Sequence, residues 1–214
     1  GTIASVESAP NLTFEDETFA FAQAPVAEAL ARLTETARAP IKITSALRTL
    51  PQQYLLYQWA ATLRCDIPMA ARPGRSNHEE GVAIDVSADV RTRSLLSQAG
   101  ACATADAPKR ACFRWLGPKD PVHFDFLGDG AVDIDGESVQ AFQRLWNRNH
   151  PADLIPETGV FDAKTEARLK KTPAAGFAIG AACASPGEAP DARAPEEASA
   201  PAAPAPAASD AGDD

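Results

Sequence analysis

The sequence predicts an α+β fold in which a small antiparallel sheet is flanked by helices and is followed by a small all-α module and a disordered tail. Two segments alternate apolar and polar residues with the period of a strand, and several others repeat apolar residues at helical spacing. After residue 183 the chain consists almost wholly of Ala, Pro, Ser, Gly and acidic residues. We therefore expect a domain at 1–128, a helical module at 129–180 and a tail at 181–214.

The first domain is predicted to open with an extended lead-in, up to about residue 23, that packs three apolar side chains on the core: Leu12, Phe14 and Phe19. A helix is expected from Pro25, because the missing N–H of proline does no harm in a first turn. Its apolar residues recur at helical spacing: Val26, Leu30 and Leu33. A short strand is predicted at 41–44, where apolar and polar residues alternate.

A second helix is predicted over 50–63, with Pro51 near its start. Three apolar residues spaced four apart share one face of it: Leu55, Trp59 and Leu63. Further helices are expected at 138–147 and 162–171 in the helical module. Apolar residues of the module favour the core of a three-helix unit over a ligand platform: Val139, Phe142, Leu145 and Trp146.

Two predicted strands combine an apolar face with a polar side chain on the opposite face. In residues 82–86, three residues share the apolar face (Val82, Ile84 and Val86), and Asp85 lies on the other. In residues 122–126, Phe124 and Phe126 lie on one side and His123 on the other. If both strands belong to one sheet, Asp85 and His123 project from the same open face.

The charge and hydropathy of the chain exclude some classes of function. The formal net charge is −9, and from Ala184 onward seven acidic residues stand against one arginine, so this stretch contributes six of the nine charges. Nucleic-acid binding is not expected, because phosphates require a basic surface. No run approaches the roughly 18 apolar residues that span a bilayer. No signal-peptide pattern follows Gly1, so a signal peptide is either absent or already removed.

The four cysteines contain no C-x-x-C pair that would indicate a redox or zinc-ribbon motif. Cys102 and Cys112 bracket a short polar loop that a disulfide can close in an oxidising compartment. Cys65 and Cys183 would then form the remaining pair, or both are free thiols.

Two histidines and one aspartate are candidate ligands of a single catalytic zinc ion: His78, Asp85 and His123. Such a site takes three nitrogen or oxygen ligands from rigid elements and keeps one open position for water. A nearby carboxylate is needed to take the proton of the water, and Asp120 lies three residues before His123. Asp120 could instead serve only as a turn residue before proline.

These residues fall in three ordered motifs: Ser76-x-His78-x-x-Gly81-x-Ala83-x-Asp85, Trp115-x-x-x-x-Asp120-x-x-His123-Phe124, and Ser45-Ala46-Leu47-Arg48-x-x-x-x-Gln53. Together they resemble the signature of the zinc D-alanyl-D-alanine carboxypeptidase family, within the lysostaphin, D-Ala-D-Ala metallopeptidase and hedgehog group. The resemblance covers about residues 41–126 and implies hydrolysis of stem peptides of bacterial peptidoglycan.

The resemblance also implies roles for the matched residues. The zinc ligands would be His78, Asp85 and His123, and Asp120 would be catalytic. Arg48 would stabilise the substrate or an oxyanion, although a lone arginine could also be a solvated charge. Gln53 and Ser76 would help to position the peptide, and Glu79 and Glu80 are expected to be exposed charges.

One departure from the family pattern concerns the bond that is cut. Many D,D-carboxypeptidases of the family carry Glu-Pro-Trp-His, whereas this chain has Asp120-Pro121-Val122-His123. That form is closer to the L-alanyl-D-glutamate endopeptidases and phage endolysins. We expect a D-alanyl-D-alanine carboxypeptidase, with the endopeptidase and a catalytically inactive zinc-containing wall-binding protein as alternatives.

The helical module resembles a peptidoglycan-binding-like domain, in which a Phe-Gln helix precedes an Asp-Gly-x-Phe turn. The matching segments are 139–146, 159–161 and 165–169, and Glu157-Thr158-Gly159 replaces the Asp-Gly. His150 has no evident partner in the module and is expected in a surface loop. The resemblances together predict an exported, monomeric enzyme of the cell envelope or the medium, in either a bacterial or a phage setting.

Overall fold

The structure is a computed structural model, and it describes residues 2–37, 40–65, 67, 69–99, 113–173 and 176–179. These residues lie in one compact unit, Gly1–Gly180. The predicted disordered tail, 181–214, lies outside the described residues, as do Cys102, Cys112 and Cys183. Cys65 carries a free, exposed thiol, which does not support the suggested bridge to Cys183.

Seven strands and five helices form in the described ranges. The strands are β1 Ile3–Ser5, β2 Leu12–Phe14, β3 Phe21–Gln23, β4 Ile41–Ser45, β5 Ala83–Val86, β6 Phe113–Trp115 and β7 His123–Phe126. The helices are α1 Ala24–Ala37, α2 Leu50–Ala61, α3 Val90–Ala99, α4 Glu137–Asn149 and α5 Ala163–Leu169.

A five-stranded sheet in the order β2-β4-β5-β7-β6 forms the centre of the fold. The pairs β4–β5, β5–β7 and β6–β7 are antiparallel, whereas β2 runs parallel to β4 at one edge. This parallel pair requires a crossover, which β3 and α1 supply. The predicted α+β class is confirmed, with one parallel pair added to an antiparallel sheet.

The N-terminal lead-in differs from its prediction. It forms strands, and β1 pairs with β3 in a separate two-stranded sheet. Leu12 and Phe14 pack against the core as expected, but Phe19 is 45% exposed. Ala20 and Ala22 are buried in its place, because alternate residues of an extended segment point inward.

The main core lies between the five-stranded sheet and helices α1 and α3. Its largest buried side chains come from these elements: Leu30, Leu33, Ile41, Ile43, Ile84, Leu96, Phe113, Phe124 and Phe126. The predicted apolar spacing of α1 is therefore its buried face. No helix in the described ranges is both long and apolar enough to cross a membrane.

A second core joins α2 to α4 and α5. Its buried members are Leu50, Val139, Phe142, Trp146, Ile155, Phe161 and Leu169. The module therefore completes its core with the first turn of α2, instead of with a third helix of its own. The expected apolar face of α2 is wrong, since Leu63 is 83% exposed and Leu55 is also exposed, whereas Leu50 and Gln53 are buried.

Candidate metal centre

Two neighbouring strands bring Asp85 and His123 together. Strand β5 pairs with β7 in antiparallel register, and Asp85 stands directly opposite His123. Opposed residues of neighbouring strands project from the same face of a sheet. On the other face, Ile84 and Phe124 are fully buried in the main core, which fixes both strands. The expected juxtaposition of Asp85 and His123 is confirmed.

His78 reaches the same face from the loop before β5. The backbone around His78 forms a tight turn. In this turn the Gly81 N–H donates to the His78 carbonyl at 3.2 Å and the Val82 N–H donates to the Asn77 carbonyl at 2.9 Å. The imidazole is 1% exposed, and its Nδ1 lies 2.8 Å from the carbonyl oxygen of Ala46. Because Nδ1 must donate to that carbonyl, Nε2 is left as the free lone pair facing the sheet.

The three candidate ligand atoms form a nearly equilateral triangle. His78 Nε2 lies 3.1 Å from His123 Nδ1. Asp85 Oδ1 lies 3.1 Å from His123 Nδ1 and 3.2 Å from His78 Nε2. Tetrahedral zinc with ligands at 2.0–2.1 Å has ligand-to-ligand edges of about 3.3–3.4 Å. The donor set and its spacing therefore fit one face of a zinc coordination tetrahedron.

The far side of His123 is held by Asp125, a residue that we did not predict. His123 Nε2 donates to Asp125 Oδ1 at 2.9 Å, and Asp125 also accepts from Asn77 Nδ2 at 2.6 Å and from Arg114 Nη2 at 2.8 Å. A carboxylate behind a ligating histidine fixes its tautomer and orientation. The sequence contains a signal for it, since Asp125 follows His123 by two residues on one strand face.

Arg48 is tied into the centre through Asp85. Its Nη2 bonds Asp85 Oδ2, which leaves Oδ1 to face the two histidines. Its Nε donates to Ser45 Oγ at 2.9 Å, and its Nη1 donates to Gln53 Oε1 at 3.5 Å. Gln53 is 1% exposed and donates to the Ala71 carbonyl at 2.9 Å. Gln53 thus links the Arg48 guanidinium to the backbone at Ala71.

Ser76 is buried beside His78, and its Oγ accepts the His78 N–H at 3.3 Å. Ser76, Gln53 and Arg48 all line the cleft that contains the three ligand residues. The bonds that Ser76 and Gln53 make are to protein groups. Their suggested contacts with a peptide stay predictions.

Asp120 lies in the turn that leads into β7. Its N–H donates to the Gly117 carbonyl at 3.1 Å, and Trp115 Nε1 donates to the Pro121 carbonyl at 3.1 Å, which anchors the turn. The half-buried carboxylate opens into the same cleft. Within the part of the chain that the structure describes, this carboxylate has no hydrogen-bond partner.

Local electrostatics set the protonation of these groups. Burial lowers the pKa of His78, which is therefore neutral. Burial alone would raise the pKa of Asp85, but the hydrogen bond from His123 and the charge of Arg48 overcome this effect and lower it. Burial and the charge of Asp85 raise the pKa of Asp120. Neutral His78 and ionised Asp85 are in the states that bind a cation.

His123 is protonated in the metal-free chain. Burial lowers its pKa, but its hydrogen bonds to Asp125 and Asp85 outweigh burial and raise the pKa to about 9. A metal ion at Nδ1 must therefore displace one proton from this ring.

The cleft around these residues has a volume of about 620 Å³. Apolar side chains form part of its walls, among them Leu56, Met69, Leu116 and Val122. A cavity of this size, with a few convergent polar groups, is typical of a small-molecule or peptide site.

Two expectations about charged and aromatic residues are wrong. Glu79 is 6% exposed instead of solvated, and burial raises its pKa, while Glu80 is half-buried. His150 lies partly exposed in the loop after α4, as expected, but it does have a partner, because its ring stacks on Trp146 with centroids 3.7 Å apart. Glu79 is held by Ser138, a residue distant in sequence, which a linear pattern does not show, whereas His150 and Trp146 are only four residues apart.

Comparison with known families and proteins assigns the chain to a family. A search of curated proteins finds no match. A family model described as D-alanyl-D-alanine carboxypeptidase, VanY, matches residues 20–127. This segment holds the three ligand residues, Arg48 and Asp120, and it ends before α4. The chain therefore belongs to the VanY family of D-alanyl-D-alanine carboxypeptidases, whose members act on peptidoglycan.

Proposed function

We propose that the protein is a zinc-dependent D-alanyl-D-alanine carboxypeptidase that removes the terminal residue of peptidoglycan stem peptides. One observation carries the proposal: the ligand triangle of His78, Asp85 and His123 shares a cleft with the unpaired carboxylate of Asp120. The family match supports the substrate class. The site would hold one zinc ion.

Each side chain has a distinct role in this proposal. A zinc ion held by His78, Asp85 and His123 would act as a Lewis acid, able to polarise a carbonyl and to make bound water acidic at neutral pH. Asp120 accepts the proton of the attacking water and returns it to the leaving amine. Its raised pKa, caused by burial and the charge of Asp85, makes it a stronger base than an ordinary aspartate.

Arg48 supplies positive charge at a fixed position. Its bonds to Asp85, Ser45 and Gln53 hold the guanidinium plane, so its remaining donors are oriented before substrate arrives. We assign Arg48 to stabilising the developing oxyanion. Gln53 supports it from behind, and Ser76 helps to position the peptide beside His78.

A second candidate activity is L-alanyl-D-glutamate endopeptidase. It is favoured by Asp120-Pro121-Val122-His123, in which valine stands where many D,D-carboxypeptidases have tryptophan. Val122 lines the cleft, so the smaller side chain leaves room for a longer substrate. A zinc-containing wall-binding protein without catalysis remains the third alternative, and it would bind zinc without turnover.

The setting follows from the substrate. Peptidoglycan lies outside the cytoplasm, so we propose that the chain is exported and acts as a monomer in the cell envelope or medium. The segment at 129–180 is proposed to contact the wall, on its resemblance to peptidoglycan-binding domains.

The decisive assay is release of D-alanine from a stem pentapeptide by zinc-loaded protein. Release should stop when a chelator removes the metal and should return when zinc is added. Asp120→Asn should abolish most turnover, and Asp129→Asn, at an exposed position beyond β7, should not. An unmodified pentapeptide after incubation with zinc-loaded protein would contradict the proposed activity.

A further inference from the structure

The residue that follows His78 is a buried carboxylate held from two directions. Glu79 Oε2 accepts the Gly74 N–H at 2.8 Å, and Glu79 Oε1 accepts the Ser138 hydroxyl at 2.6 Å. Gly74 begins the loop that leads to His78, whereas Ser138 lies in the first turn of α4. One carboxylate therefore links the loop that carries a metal ligand to a helix outside the family-matched segment.

The next residue of α4 contacts the same loop. A Cβ added to Gly74 would lie 2.7 Å from Val139 Cγ2, closer than side chains approach one another. Gly74 also has a φ of +79°, which favours glycine. The loop backbone thus packs directly on α4 beside the Ser138 contact. Two adjacent residues of one helix fix the two ends of the segment from Gly74 to Glu79.

This contact reaches the metal ligand through the backbone. Glu79 N–H donates to the Ser76 carbonyl at 2.8 Å, and Ser76 Oγ accepts the N–H of His78 at 3.3 Å. Movement of Glu79 therefore moves the turn that aims His78 Nε2 at the ligand triangle. Metal affinity is sensitive to such movement, because outer contacts that orient ligands commonly contribute 10–100-fold in affinity.

We propose that Glu79 is a positioning residue of the metal centre and that Ser138 of α4 holds it in place. The inference rests on the proposed metal binding at His78, Asp85 and His123. If this inference holds, the helical module helps to hold the metal-binding loop in place, in addition to any contact that the module makes with the wall.

Ser138→Ala tests the inference with the smallest change, since it removes one hydroxyl from a half-buried position. Glu79→Ala removes both contacts of the carboxylate. Glu79→Gln can restore both, because its amide oxygen can accept from Gly74 and its amide nitrogen can donate to Ser138. Glu137→Ala is the matched control, because Glu137 is exposed in the same turn of α4.

Three quantities should be measured on each full-length variant: zinc affinity by competition with a chromophoric chelator, the visible absorption of the Co²⁺-substituted protein, and Tm. We expect Ser138→Ala to weaken zinc binding about tenfold and to change the Co²⁺ spectrum. Glu79→Ala should have a larger effect, and Glu79→Gln and Glu137→Ala should stay close to the parent. If Glu79→Ala does not fold, Ser138→Ala decides alone.

Unchanged zinc affinity and an unchanged Co²⁺ spectrum in Ser138→Ala would overturn the inference, even if Tm falls, because Glu79 would then support only the fold. A different result bears on the proposed function. If the parent itself binds neither zinc nor Co²⁺, both the proposed metal site and the inference fail. If the parent binds metal and Ser138→Ala matches it in both zinc affinity and Co²⁺ spectrum, only the inference fails and the proposed metal site stands.

Discussion

Replacing Asp125 by asparagine should weaken metal binding while the fold persists. Asp125 is buried and accepts the N–H of His123 Nε2 at 2.9 Å. Asparagine keeps the shape and one acceptor oxygen, but it removes the negative charge that makes His123 a stronger ligand. Its amide nitrogen would face Arg114, whose side chain is 56% exposed and can turn to water. The loss of zinc affinity should therefore come mainly from weaker binding at His123.

The expected magnitude is a 10–100-fold loss of zinc affinity, or about 1.4–2.7 kcal/mol. Chelator competition should be measured at about pH 10, above the His123 pKa of about 9, because at lower pH the loss of the Asp125 charge also weakens the binding of the proton that the metal must displace. Asp129→Asn is the control, since it makes the same change at an exposed site. Circular dichroism should show the parent fold in both variants. Equal zinc affinity in Asp125→Asn and the parent would refute the assignment of His123 Nδ1 as a ligand supported by Asp125.

Three further outcomes are expected. Asp120→Asn should lower kcat by about 10²–10⁴-fold with zinc affinity unchanged, measured by D-alanine release and chelator competition; weakened zinc binding would instead make Asp120 a ligand. Phe142→Ala should destabilise the chain by about 3 kcal/mol in urea unfolding, because Phe142 is buried in the second core, whereas exposed Leu154→Ala should change little. Asp162 caps α5, and the Thr165 N–H lowers its pKa. Asp162→Ala should therefore lower the free energy of unfolding in urea by about 1 kcal/mol at pH 7. The difference between variant and parent should shrink as pH falls below about 4, where the carboxylate becomes protonated. A difference that stays constant with pH would contradict the capping role.

Local pattern was sufficient to predict the two strands that carry Asp85 and His123. The alternation around Asp85 and His123 predicted two strands, and both form, because a buried apolar face enforces the period of two. Helices α1 and α4 also follow their predicted spacing. The three candidate ligand residues were expected from their chemistry and motif, and the structure brings their nitrogen and oxygen atoms together.

Contacts between distant segments were not predictable from pattern. The buried face of α2 is set by α4, which packs on Leu50, so its apolar spacing at Leu55 and Leu63 was misleading. Glu79 is buried because Ser138 lies beside it, 59 residues away in sequence. Phe19 is exposed because β3 pairs with β1 in an orientation that turns the adjacent Ala20 and Ala22 inward. In each case tertiary packing outweighed a local signal.

Mass spectrometry of muropeptides digested by zinc-loaded protein tests the central claim most directly, because it identifies the bond that is cut. The proposed site predicts that pentapeptide stems lose one terminal alanine and that chelated protein leaves them intact. Stems cut between L-alanine and D-glutamate would contradict the carboxypeptidase assignment. Intact stems with zinc bound would contradict catalysis itself.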